Sequence, residues 1–141
     1  MRYAATNEFI AIRLSQGDDI HQSISQVCLE NNVDSAIVTN GLGMVDSVLF
    51  GWFTGNDYTH EKISEILEIS SINGDVSYRK DKLYVHLHAV LNQPDHSTIS
   101  GHILEAKVHN NVEIFLKPLQ TIILARSFDG WFDALSPQKR V

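Results

Sequence analysis

Apolar and polar residues alternate through most of this chain, and one helical repeat interrupts the alternation near its start. Asn7 to Leu14 (NEFIAIRL) reads as a strand, whereas in Asp18 to Asn32 the residues Ile20, Ile24, Val27 and Cys28 recur on one face at helical spacing. Asp18 and Asp19 suit the positive end of that helix, and Asn31 and Asn32 tolerate the left-handed backbone that commonly closes one. Ser35 to Thr39 (SAIVT) follows as a buried strand, so the chain opens as β-α-β. From Met44 onward, short apolar runs are separated by turn material at Gly55-Asn56-Asp57, Asn73-Gly74-Asp75, Arg79-Lys80-Asp81 and Asn92 to Ser97. The predicted strands are Ser47 to Phe53, Tyr58 to Lys62, Glu65 to Ile72, Val76 to Arg79, Lys82 to Leu91, Thr98 to Val108, Val112 to Lys117 and Thr121 to Arg126. No second long helix emerges. The expected class is α+β: a mostly antiparallel sheet with an N-terminal β-α-β unit and one main helix.

One helix, about 10 Å across, covers only about two strands spaced roughly 4.8 Å apart, so the remaining apolar strand faces need other cover. A second sheet is one source. Neighbouring subunits are another, and Thr121 to Arg126, Val112 to Leu116, Trp52, Trp131 and Phe132 suit that role. With 141 residues, 43% hydrophobic and 20% charged, the whole chain from 1 to 141 is expected to form a single domain. A core of that size needs neither disulfide nor structural metal to stay folded, so a bound metal would be functional. No repeat or linker stands out, and Ser136 to Val141 reads as a frayed end.

The lone Cys28 cannot form an internal disulfide and falls within the helical pattern, which favours a reducing, cytoplasmic setting and a core role for the thiol. No stretch approaches the roughly 18 apolar residues of a membrane span. Eleven Lys and Arg against seventeen Asp and Glu give a net charge of −6, which repels a phosphate backbone.

The chemistry concentrates in Lys82 to Leu91. Alternation puts Leu83, Val85, Leu87, Ala89 and Leu91 on one face, and Tyr84, His86, His88 and Val90 on the other. The next turn, Asn92 to Ser97, contains a Pro-Asp pair suited to reversing the chain, so Leu91 and Ile99 flank a hairpin. That register pairs His88 with His102. Directly opposed residues have Cβ atoms about 5 Å apart, and His86 is the diagonal neighbour, so three imidazoles can converge. Three neutral imidazoles leave the fourth position of a tetrahedral zinc open, as in a catalytic or ligand-binding site; iron, nickel or cobalt would also fit. A plainer reading also holds: a His-x-His on a strand serves as a polar solvent-facing pair, and alternation places His102 with Leu104, Ala106 and Val108. A one-residue slip would send His102 to the opposite face.

Tyr84 shares the histidine face and could donate to an oxygen of a bound ligand, or simply pack there. His21 lies in the helix, while His60, His96 and His109 adjoin turns or strand ends and read as surface residues. Glu105 points away from His102 by alternation and is not assigned as a general base. Asn40-Gly41-Leu42-Gly43 reads as a tight connection, not a phosphate loop, and GxGxxG, P-loop, GxSxG and CxxC motifs are all missing. The sequence supplies no complete catalytic constellation.

The order of these motifs resembles the plants-and-prokaryotes-conserved (PPC) domain, in its stand-alone prokaryotic form. The resemblance spans nearly the whole chain. It rests on Ile12-Arg13-Leu14 with Gly17-Asp18, Ser35 to Gly43, Glu65 to Gly74, Val85-His86-Leu87-His88, Gly101-His102-Ile103 and Glu113 to Leu116. It implies a homotrimer with one divalent metal per subunit at His86, His88 and His102. Ser100 stands where a second glycine is usual, and Ser71-Ile72-Asn73-Gly74 replaces a shorter Leu-Ser-Gly of plant members; neither removes a ligand. Such proteins are often labelled DNA-binding, but the Arg-Gly-Arg core of plant AT-hooks has no counterpart here. Two functions follow: a trimeric module binding a divalent metal, zinc foremost, with an open position for a small oxygen-bearing ligand, or a DNA-associated regulatory oligomer acting through protein or DNA contacts.

Overall fold

The computed structural model describes residues 1–141. Nine strands and one helix follow in the order β1 (Arg2–Ala5), β2 (Ile10–Ser15), α1 (Ile20–Glu30), β3 (Ala36–Phe53), β4 (Tyr58–Ile63), β5 (Leu67–Arg79), β6 (Lys82–Asn92), β7 (Thr98–Pro118), β8 (Ile122–Phe128) and β9 (Asp133–Lys139). The predicted class is therefore observed. Helix α1 starts where expected: Asp19 is its N-cap, its carboxylate accepting from the Gln22 amide at 2.9 Å. It ends where Asn31 donates its side-chain amide to the Val27 carbonyl and Asn32 takes a φ of +54°.

All nine strands belong to one sheet, and every pairing is antiparallel except that of β5 with β8. Strand β3 pairs with β5 and β7, and β6 pairs with the same two strands, so β3, β5, β6 and β7 form a closed circuit. This closure supplies much of the cover that one helix cannot. Alternate side chains of β6, Val85, Leu87, Ala89 and Leu91, turn into the core, where they join Ile20, Ile24, Val27 and Cys28 of α1. Their neighbours His86, His88 and Val90 point out. No helix is long and apolar enough to cross a membrane.

Several predicted boundaries dissolve because long strands absorb irregularities as bulges. Asn40 to Gly43 lies inside β3, which carries register shifts at Val38/Asn40, Gly43/Met44, Val45/Ser47 and Leu49/Phe50. Asn73-Gly74-Asp75, expected as a turn, runs straight through β5, and the two strands expected on either side of Asn110 are one, β7. Gly74 is there for proximity: a Cβ at that position would overlap the His86 carbonyl oxygen on the paired strand. Val112, Ile114 and Leu116, expected to serve subunit contacts, are fully buried within the chain's own core. Trp52 and Trp131, by contrast, are both 75% exposed. The expected frayed end is instead ordered into β9 as far as Lys139, with Arg140 donating to Asp34.

Because Gly74 faces backbone and not a movable side chain, Gly74→Ala must push β5 and β6 apart. We expect a loss of about 3 kcal/mol, the upper end of the overpacking range, in urea unfolding. Wild-type stability for this variant would show that the approach is not tight.

Candidate metal centre

The β6–β7 hairpin sets the site. Its turn is built from short polar residues: the Gln93 amide donates to the Ser97 carbonyl, Asp95 accepts from both the amide and hydroxyl of Ser97, and His96 adopts a φ of +67°. From there the register runs Leu91 opposite Ile99 and His88 opposite His102, as the sequence predicts. The ring centres of His86 and His88 lie 5.2 Å apart, those of His86 and His102 4.7 Å, and those of His88 and His102 5.3 Å. Three imidazoles bonded at about 2.0–2.1 Å to one tetrahedral ion have ring centres about 5.2 Å apart. The donor nitrogens already lie within 4.8 Å of one another, so what remains is rotation of rings that are correctly spaced. The residues present fit a divalent metal.

A bulge separates His102 from the apolar residues that alternation places beside it. Glu105 pairs with Leu49 and Ile103 with Phe50, so Leu104 is the extra residue. Alternation restarts beyond it: Ala106 and Val108 turn into the core while His102 stays on the outer face. Glu105 is exposed and takes no part.

His86 Nδ1 meets a polar network that the sequence reading missed. Asp75 Oδ2 lies 3.4 Å from Nδ1 and Arg126 Nη2 lies 3.2 Å from it, leaving Nε2 as the nitrogen free for a metal. Arg126 Nη2 donates to Asp75 Oδ2 at 2.7 Å, Arg126 Nε donates to Ser77 Oγ at 3.0 Å, and Ser77 Oγ donates to Asp75 Oδ1 at 2.7 Å. Burial is the largest single influence on Asp75 and pushes its carboxyl up, but the nearby His86 ring and the hydrogen bonds from Ser77 and Arg126 together outweigh it and hold it below the usual range. A clue to Asp75 lay in the chain. The Lys80-Asp81 turn, with φ of +50° and +59°, is a two-residue hairpin, and counting back from it pairs Asp75 with His86. Arg126 carries no such clue, because it arrives through the parallel pairing of β8 with β5.

Tyr84 stands beside His86 with the rings roughly stacked, 6.1 Å between centres, and the guanidinium of Arg126 lies 5.2 Å from the Tyr84 ring centre. Burial pushes its phenol pKa up, so it remains a donor. Tyr58 presents an edge-on contact to His102 at 5.7 Å. Burial, reinforced by His86, lowers the pKa of His88; burial with His86 and His88 lowers that of His102 to about 4. Both rings are thereby kept neutral, which is the form that coordinates metal.

His21 is not the surface residue expected from its place in a helix. It is partly buried, its Nε2 lies 3.1 Å from the Ile103 carbonyl, and Nδ1 has no hydrogen-bond partner. It caps β7 where β6 parts from it. The open groove at that parting, about 550 Å³, is lined by His21, Leu29, Tyr84, His102 and Leu104 among others. His60 and His96 are exposed, and His109 Nδ1 lies 3.4 Å from Asp46 Oδ2, remote from the three rings in the β3–β7 ladder. Cys28 is buried with its thiol pKa pushed up to about 12, which removes it as a nucleophile.

The same architecture recurs in solved structures. A candidate DNA-binding protein from Bacteroides thetaiotaomicron superposes with a TM-score of 0.87 at 20% identity, covering 98% of this chain and 96% of that one. A plant- and prokaryote-conserved protein from Pyrococcus horikoshii gives 0.86 at 23% identity, covering 99% and 97%. A metal-containing protein from Archaeoglobus fulgidus gives 0.83 at 26% identity, covering 98% and 97%. Comparison with curated proteins finds no match. The sequence profile of the Plants and Prokaryotes Conserved (PCC) domain matches residues 1–120, and on that match the chain belongs to this family.

Proposed function

We propose that this chain is a single-domain PCC protein that holds one divalent metal, zinc by preference, through His86, His88 and His102, and presents an open coordination position to a small oxygen-bearing ligand. The spacing of the three rings carries this reading. The metal content of the Archaeoglobus protein, at 26% identity, supports it. A bound ion would supply Lewis acidity to the ligand oxygen. Tyr84 is placed to donate to that ligand, and Asp75, engaged by Arg126 and Ser77, orients His86 and is not free to act as a base. We further infer a homotrimer, in keeping with the exposed Trp52 and Trp131, and a reducing cytoplasmic setting, in keeping with the buried free thiol of Cys28. DNA association, the competing function, draws on the description of the Bacteroides protein, but a net charge of −6 works against it.

Three measurements check this. Protein purified without an affinity tag should contain close to one zinc per chain, and His88→Ala, at an exposed position, should abolish uptake without unfolding the chain; equal metal in both proteins would sink the site. Sedimentation should give three times the 15.9 kDa chain mass, and a monomer would refute the assembly. The third concerns pH in metal-free protein. Because the folded pKa of His102, about 4, lies below its ordinary 6.5, the unfolded chain binds the extra proton first as pH falls. The stability is complete above pH 6.5 and declines toward pH 4, and His102→Gln should flatten that decline in urea titrations at successive pH values. An unchanged slope would show that His102 titrates normally.

A further inference from the structure

A neutral imidazole has one N–H, so one ring nitrogen donates while the other accepts or coordinates. At His86 two neighbours make opposite demands on Nδ1. Arg126 Nη2, 3.2 Å away, can only donate and requires Nδ1 to be bare. Asp75 Oδ2, 3.4 Å away, can only accept while ionised and requires Nδ1 to carry the proton. Both demands cannot be met at once. The shorter contact is to Arg126, which matches the tautomer with its proton on Nε2, the nitrogen that would have to face a metal. To coordinate through Nε2, His86 must move that proton to Nδ1, and two N–H groups would then point at each other across the Arg126 contact.

We propose that Asp75 is the positioning residue for the metal-competent tautomer of His86, that the Arg126–His86 contact marks the competing metal-free tautomer, and that metal loading exchanges one for the other. This rests on the metal reading above. The surroundings suit such an exchange. Asp75 stays in place because Ser77 Oγ holds its other oxygen at 2.7 Å. Arg126 is only 9% exposed and keeps its Nε bond to Ser77 and its place beside the Tyr84 ring, so Nη2 can leave His86 without the side chain leaving the site. The exchange needs no backbone movement. Its consequence is that one guanidinium N–H becomes available beside the metal only once the metal is bound.

The test uses full-length protein labelled with nitrogen-15 histidine, with and without zinc chloride. Long-range proton–nitrogen spectra, with His86 assigned by its loss in His86→Gln, should show the proton on Nε2 before zinc and on Nδ1 after it. In competition with a chromophoric chelator, Asp75→Ala should weaken zinc binding roughly 10–100-fold, the range for losing an outer partner of a ligating histidine. Asp75→Asn, which keeps an acceptor oxygen, should recover part of that loss, and Arg126→Gln should bind zinc no more weakly than the parent. Zinc uptake with the His86 proton unmoved, or equal weakening by Asp75→Ala and Arg126→Gln, would overturn the proposal and leave the network a structural brace. If Asp75→Ala does not fold, the parent spectra and the Asn variant still decide. Failure of the parent to take up zinc would instead remove the metal centre, and this proposal with it.

Discussion

The register between β6 and β7 is the constraint on which everything else in this molecule rests. Side chains along a strand alternate between faces, so a shift of one residue in β7 would carry His102 into the core and Ile103 out to solvent. The register is held from both ends: by the polar turn at Gln93 to Ser97, and by Leu87, Ala89, Leu91 and Ile103, all buried on the inner face. The apolar face thus fixes the polar one. The histidines are placed by the burial of residues that never touch them.

That arrangement would fail if β7 continued as a regular strand, since Ala106 and Val108 would share the outer face with His102. The extra residue at Leu104 reverses the alternation and lets one strand serve the site at one end and the core at the other. The closed circuit of β3, β5, β6 and β7 explains why so much strand can be covered with a single helix. It also sets Asp75 directly behind His86, because β5 is the other neighbour of β6. Core closure and support of the histidines are therefore one structural event.

The electrostatics of the site follow from its partial burial. His88 and His102 lie beside neighbouring rings and lose solvent, which disfavours their charged forms and leaves nitrogen lone pairs available at neutral pH. Asp75 experiences the opposite balance, because Ser77 and Arg126 donate to it and, with the His86 ring beside it, keep its carboxylate ionised despite burial. A fold shared with candidate DNA-binding proteins does not by itself decide what this chain does, since function resides in the side chains a fold presents. Here those are three imidazoles and one paired Arg–Asp, on a chain of net charge −6.

The sequence alone determined the fold class, the helix and its caps, the face occupied by His86 and His88, and the pairing of His88 with His102. Each depends on periodicity or on a short turn, which act over a few residues. It also held, unread, the pairing of Asp75 with His86, which follows from the Lys80-Asp81 turn by the same counting. Tertiary structure alone decided the rest. Arg126 reaches His86 by way of a parallel pairing some fifty residues along the chain, as β8 returns to β5. His21 is partly buried because α1 sets its ring against β7 at the last β6–β7 rung, within reach of the Ile103 carbonyl. Ser136 to Lys139 is ordered because β8 offers it an edge. Alternation records which face a residue takes, but not what lies across from that face once the sheet has closed.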